Sequence, residues 1–241
     1  MSEDPPAPGR FLLKLSGELL AGTGGSGLDP GCVEGYARAL IRLSRKGWQI
    51  GVVTGGGNFV RGRQLETFTR TRADMMGMLA TVINAIALAD SICRSGGSAV
   101  AMSPIAADGP AEPYSSERAL ASMESGVIAV FGGGTGNPFV TTDTAAALRA
   151  AQTGCSILLK GTKVDGVYDS DPVNNPRARR FDRLDYGDVL RGELGVMDNA
   201  AVAICRDAGI PVNVFDITRP ENVERVLADP STGTIIGEEQ P

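Results

Sequence analysis

Six short apolar runs punctuate the chain, at residues 11–15, 50–53, 99–102, 127–131, 156–159 and 212–215. Each is four or five residues long and apolar at nearly every position, which predicts strands of a parallel sheet covered on both faces. Longer stretches between them carry helical spacing. Residues 33–46 stop at Gly47, and the alanine-rich residues 144–152 end near Gly154. Met75, Met78, Leu79, Val82, Ile83 and Ile86 recur at i, i+3, i+4 on a helix predicted to reach about Cys93. Met76, Ala80, Ala87 and Leu88 lie off that stripe, so the helix is apolar on more than one side and reads as a central core helix. Strand and helix in alternation predict an α/β fold with a mainly parallel sheet.

No linker or composition break divides the chain, so residues 11–241 read as a single domain. Residues 1–10 are rich in proline and read as a poorly ordered tail with no secretory signal, and no window reaches a membrane-spanning apolar length. Residues 162–180 are polar and loop-rich, with turns at Asp171-Pro172 and Asn174-Asn175-Pro176. At 241 residues and 42% apolar content the chain can bury a substantial core. A net charge of −5 lacks the basic footprint of a nucleic-acid binder. Four scattered cysteines, three of them in apolar or alanine-rich surroundings, predict buried reduced thiols, no structural zinc and a cytoplasmic setting without membrane association. Histidine is absent, which excludes every mechanism built on imidazole.

The candidate chemistry lies where strands end. Val52-Val53-Thr54 runs into Gly55-Gly56-Gly57-Asn58, and Val130-Phe131 runs into Gly132-Gly133-Gly134-Thr135-Gly136-Asn137. Glycines after a strand bare consecutive backbone N–H groups, which suits phosphate oxygens; tight packing is the alternative reason for them. Two such corners after parallel-type strands predict two neighbouring anionic ligands at one sheet edge. The run Leu13-Lys14-Leu15-Ser16-Gly17-Glu18 adds a third corner with a lysine in an apolar strand, either snorkelling or clamping a phosphoryl group. Arg61 stands within reach of the first corner to grip a phosphate. Residues 158–172 combine a strand, Lys160, Lys163 and Tyr168, and form either a purine floor or only a turn. Gly22-Thr23-Gly24-Gly25-Ser26-Gly27 matches G-x-G-x-x-G but leads into Leu28-Asp29-Pro30 and reads as a loop. P-loop and protein-kinase motifs are absent. An acceptor that is already an oxyanion needs no strong base, so phosphoryl transfer to a phosphate or carboxylate can run without histidine.

Lys14 to Glu18, Gly55 to Asn58 with Arg61-Gly62, Asp74 to Thr81, Gly134 to Asp143 and Lys160 to Tyr168 together resemble the bacterial UMP kinase family of the amino acid kinase superfamily, in order from about Phe11 to Ile236. That resemblance implies a three-layer α/β/α sandwich, MgATP as donor, UMP as acceptor in pyrimidine nucleotide biosynthesis, and a homohexamer. In that assembly the long apolar helix would be a subunit interface. It places Lys14, Leu15, Ser16, Gly17, Gly57, Arg61, Thr162, Tyr168 and Asp171 at ATP. Around UMP it places Gly56, Asp74, Thr135, Gly136, Asn137, Pro138, Phe139, Val140, Thr141 and Thr142. Catalysis falls to Lys14, Arg61, Asp143 and Lys163, with Asp143 orienting Lys14 and either Lys163 or Lys160. Mg²⁺ would travel with ATP, with no protein metal site. GTP activation and UTP inhibition are further family expectations. Val60 and Ala89, where the family often has an aromatic and an arginine, depart from its pattern, as does the lack of histidine. A carboxylate or carbamate kinase, and a nucleotide-binding regulator on the same fold, are the competing readings.

Overall fold

The computed structural model describes residues 8–60, 67–191 and 195–238. In chain order the elements are β1 Arg10–Leu15, α1 Gly17–Leu20, α2 Pro30–Arg45, β2 Gln49–Thr54, α3 Arg70–Arg94, β3 Ala99–Ser103, β4 Glu112–Pro113, α4 Ser116–Glu124, β5 Ile128–Phe131 and α5 Thr142–Gln152. There follow β6 Ile157–Thr162, β7 Val167–Tyr168, β8 Arg180–Phe181, β9 Arg183–Leu184, α6 Tyr186–Arg191, α7 Asn199–Asp207, β10 Val212–Asp216, α8 Asn222–Ala228 and β11 Thr234–Ile236. Among the described residues nine strands form one sheet in the order β4-β3-β5-β2-β1-β6-β10-β11-β9, parallel except where β11 pairs with β10. All six apolar runs are strands of this sheet.

Because successive side chains of a strand face opposite ways, each central strand feeds two cores. Phe11, Leu13 and Leu15 of β1 pack with α2, α3 and α8. Leu12 packs on the other face with α4, α5, α6 and α7. The result is the three-layer α/β/α sandwich. Alternation also decides where charge goes: Lys14 shares its face with Leu12, toward α5.

Several boundaries and environments differ from the sequence expectation. Arg10 is not tail but opens β1, its guanidinium reaching Gln49 and Glu124; residues 1–7 lie outside the described set. Helix α2 starts at Pro30, three residues early, because Asp29 caps it by accepting from the Cys32 N–H at 2.8 Å with proline in the first turn. Helix α3 does reach the length and composition of a membrane span, yet half of that window is buried within the fold. Only Cys155 and Cys205 are fully buried, where burial pushes their thiols up to about 11 and about 12. Cys32 is half-buried and Cys93 exposed, since each sits on a helix flank rather than under it.

Helix α3 lies so close to the sheet that only glycine passes beneath it. A Cβ on Gly132, at the end of β5, would stand 2.7 Å from the Cα of Val82. Backbone cannot yield as a side-chain tip can, so Gly132→Ala is expected to lose ~1–3 kcal/mol and lower the melting temperature by roughly 2–12 °C, measured by thermal unfolding.

Candidate active site

Four glycine- and lysine-bearing segments converge at the carboxyl ends of β1, β2, β5 and β6, where a parallel sheet presents ligands. Strands β1 and β6 are parallel neighbours with Lys14 opposite Lys160 in register. Both lysines therefore face the same layer side by side, and between them dips Asp143 from the first turn of α5. Lys14 Nζ stands 3.0 Å from Asp143 Oδ1, and Lys160 Nζ donates to Oδ2. All three side chains are largely buried, at 17%, 14% and 9% exposure for Lys14, Asp143 and Lys160.

Burial alone would raise the Asp143 carboxyl, but the charges of Lys14 and Lys160 outweigh it and hold the group below the usual carboxylate range. Burial lowers Lys160 below the usual lysine value; Asp143 opposes this and Lys14 adds to it. The α5 N-terminus favours the carboxylate further. The three-residue cluster carries one net positive charge, and the Asp198 carboxylate lines the same cavity. Each carboxylate oxygen faces one ammonium, Oδ1 that of Lys14 and Oδ2 that of Lys160.

The expected contact between Asp143 and Lys163 does not form. Lys163 lies beyond the end of β6, is 65% exposed, and pairs with Glu18 at 2.7 Å. The alternation of β6 explains the choice, because Leu158 and Lys160 share the α5 face while Lys163 has left the strand. Arg61 lies outside the described residues.

Cavities flank the lysine cluster on both sides. One of about 250 Å³ is bordered by Gly56, Gly57, Asp74, Thr135, Asn137 and Val140, and it shares Thr141 and Thr142 with the cavity over Lys14, Asp143 and Lys160. Another, of about 430 Å³, brings Thr162, Tyr168 and Asp171 together and shares Gly195 and Val196 with the lysine cavity. The three form one trough with the lysine cluster at its middle. Leu15 is fully buried, so only its backbone can face a ligand; Ser16 and Gly17 continue from it into α1.

Asp74 holds the loop of the smaller cavity. It accepts from Arg70 Nε at 2.9 and 2.8 Å and from the Phe139 N–H at 2.9 Å, and Arg70 lies over the Phe139 ring. Phe139 has φ 71°, a conformation costly for a bulky residue unless its surroundings hold it.

The sequence reading missed three supporting residues. Asp198 caps α7 by accepting from Ala201 N–H and also accepts from the Thr141 and Thr144 hydroxyls, binding α7 to the start of α5. Its capping position before an alanine-rich helix was the available signal. Arg149 is buried, stacks 3.6 Å from the Tyr114 ring centre and donates to Gly134 O at 3.2 Å. Arg70 carried no sequence signal beyond its i, i+4 spacing from Asp74.

Asp143→Asn leaves two buried ammoniums facing a neutral amide, so a loss of about 3–5 kcal/mol is expected at neutral pH. A lowered carboxyl pKa stabilises the fold above the unfolded value near ~3.9, and that contribution disappears as pH falls through the folded value. Denaturant unfolding of both forms should therefore give curves that converge below about pH 4.

Residues 9–216 match the Amino acid kinase family. A uridylate kinase of Legionella pneumophila (strain Lens) is 46% identical over 230 residues, 95% of this chain and 93% of that protein. The crystal structure of UMP kinase from Bacillus anthracis superposes with a TM-score of 0.92 at 35% identity, covering 97% of this chain and 98% of that one. The UMP kinase from Ureaplasma parvum gives 0.90 at 35%, covering 96% and 99%.

Proposed function

The chain belongs to the amino acid kinase family, and from that premise we infer that it transfers the γ-phosphoryl group of ATP to UMP, giving UDP and ADP. What carries this reading is the Lys14–Asp143–Lys160 cluster at the middle of a trough with a cavity at either end. We assign the cavity of Thr162, Tyr168 and Asp171 to ATP and that of Gly56, Asp74 and Thr135 to UMP, with Gly17 on the donor side; Gly57, expected at ATP, borders the acceptor cavity and is assigned to the point where the two phosphates meet.

In the transfer, an oxygen of the UMP phosphate forms the new bond to the γ-phosphorus as its bond to the β,γ-bridging oxygen breaks, and that electron pair leaves on ADP. The acceptor phosphate has its second pKa near ~6 and is largely dianionic at neutral pH, so no general base is needed. Charge gathers on the oxygens between the two nucleotides, where Lys14 and Lys160 stand, and Arg61 is assigned to the same task. Asp143 orients the two lysines and keeps them from repelling one another. Its carboxylate is committed to them, which fits a Mg²⁺ carried by the ATP oxygens rather than caged by the protein. When bound, that ion neutralises phosphate charge.

The same reading extends to a cytoplasmic enzyme of pyrimidine nucleotide biosynthesis, assembled as a homohexamer, with GTP as activator and UTP as inhibitor. Support for assembly comes from Met75, Leu79 and Ile83, which form an exposed apolar row on α3. Ala89 is buried on that helix and offers no charge to a GTP phosphate.

A coupled assay of ADP formation from MgATP, with UMP, CMP, aspartate, acetylglutamate and carbamate offered separately, tests the assignment. Turnover with UMP well above the others is expected. Turnover with a carboxylate or carbamate and none with UMP would overturn it.

A further inference from the structure

Helix α3 is apolar along most of its length, yet it buries two polar side chains one turn apart, Thr81 and Asn84. Buried polar groups are tolerated only when their hydrogen bonds are made, and here each makes them to a different glycine corner. Thr81 Oγ1 donates to Met78 O at 2.6 Å and accepts from the Gly133 N–H at 2.7 Å. Gly133 and Gly134 both have positive φ, so this N–H is a fixed point in the turn that leads to Thr135. Asn84 Nδ2 donates to Gly55 O at 2.6 Å and to Asn58 Oδ1 at 2.7 Å, and Asn58 Nδ2 returns a bond to Asn84 Oδ1 at 3.0 Å. Asn58 also donates to Gly27 O at 2.6 Å.

The corners are held by contact as well as by hydrogen bonds. A Cβ on Gly56 would stand 2.7 Å from Gly77 O, and one on Gly17 would stand 2.4 Å from Asn58 Oδ1 and 2.6 Å from Gly55 O. The Asn58–Asn84 pair is thus wedged against the turn after β1, while Thr81 is wedged against the turn after β5. One rigid helix spaces the two.

We propose that Thr81 and Asn84 are positioning residues that set the distance between the two phosphate groups, Thr81 through the acceptor corner at Gly133 and Asn84 through the corner of Gly55 and Asn58, which has Gly56 and Gly57 against the acceptor cavity and abuts Gly17 on the donor side. This rests on the ATP and UMP assignment above. Asn84 acts through the backbone it holds; Thr81 fixes the Gly133 N–H and also borders the cavity assigned to UMP. Thr81→Val keeps the shape and leaves the Gly133 N–H without its acceptor, whereas Thr81→Ser restores the hydroxyl. Asn84→Ala removes the amide pair.

Calorimetric titration of the full chain with UMP and, separately, with the β,γ-imido analogue of ATP reads the effect, alongside melting temperatures. Thr81→Val is expected to weaken UMP about tenfold while the analogue changes less than about twofold, Thr81→Ser to bind both as the wild type does, and Asn84→Ala, whose corner meets both sites, to weaken the analogue at least as much as UMP. Thr81→Ala serves if Thr81→Val does not fold. Thr81→Val losing both ligands equally or neither, Asn84→Ala losing UMP alone or neither, or Thr81→Ser behaving as Thr81→Val would overturn the proposal, since a merely structural role of Thr81 moves both affinities together. Wild-type chain that binds the analogue but not UMP would overturn the acceptor assignment and this inference with it; normal wild-type binding with an unselective Thr81→Val would overturn this inference alone.

Discussion

A carboxylate buried between two ammonium groups constrains everything around it. Removing charges from water costs several kcal/mol each, roughly, and the loss is offset only where the partners are held at contact distance. Here that demands β1 beside β6, parallel and in the register that sets Lys14 against Lys160, with the first turn of α5 above them. The Asp198 side chain then ties α5 to α7 through Thr141 and Thr144. A slip of one residue in either strand would turn its lysine into the α2 and α3 layer. Sheet order and charge chemistry are one constraint.

Helix α3 supplies a second, uncharged constraint of the same kind. Its inner face holds both glycine corners, its second turn carries Asp74 against the Phe139 loop, and its outer face leaves Met75, Leu79 and Ile83 exposed. A change in its seating reaches three parts of the trough at once. The low amphipathicity that the sequence pattern revealed has its cause here: the helix packs on the sheet and on α2, and its exposed outer face carries Met75, Leu79 and Ile83 where a surface helix would carry polar side chains.

The layers were legible because buried parallel strands leave continuous apolar runs, and the glycine corners because so little else produces three glycines after such a run. Lys14 stood out as a charge in an apolar strand. Lys160 did so less clearly, because the choice between it and Lys163 depends on strand pairing and face, which no local pattern records. Helices α4, α6, α7 and α8 escaped notice: they are short, and α7 in particular draws its stability from packing against α5 more than from its own periodicity. The short strands β4, β7, β8 and β9, of two residues each, carry no periodic signal at all. The roles of Arg149 and Thr81 were invisible for the reason that makes them matter, since their partners lie on other elements: the Tyr114 ring and Gly134 O for Arg149, the Gly133 N–H for Thr81.

The turnover number of Lys160→Met beside that of Lys163→Met bears most directly on the lysine cluster as the seat of phosphoryl transfer. Methionine keeps the length and apolar stem of lysine while removing the charge. Lys160→Met should lose on the order of 10²-fold or more in kcat, and far more than Lys163→Met, whose native lysine pairs with Glu18 at the surface. A Lys160→Met enzyme that turns over normally, beside a Lys163→Met enzyme that does not, would contradict it.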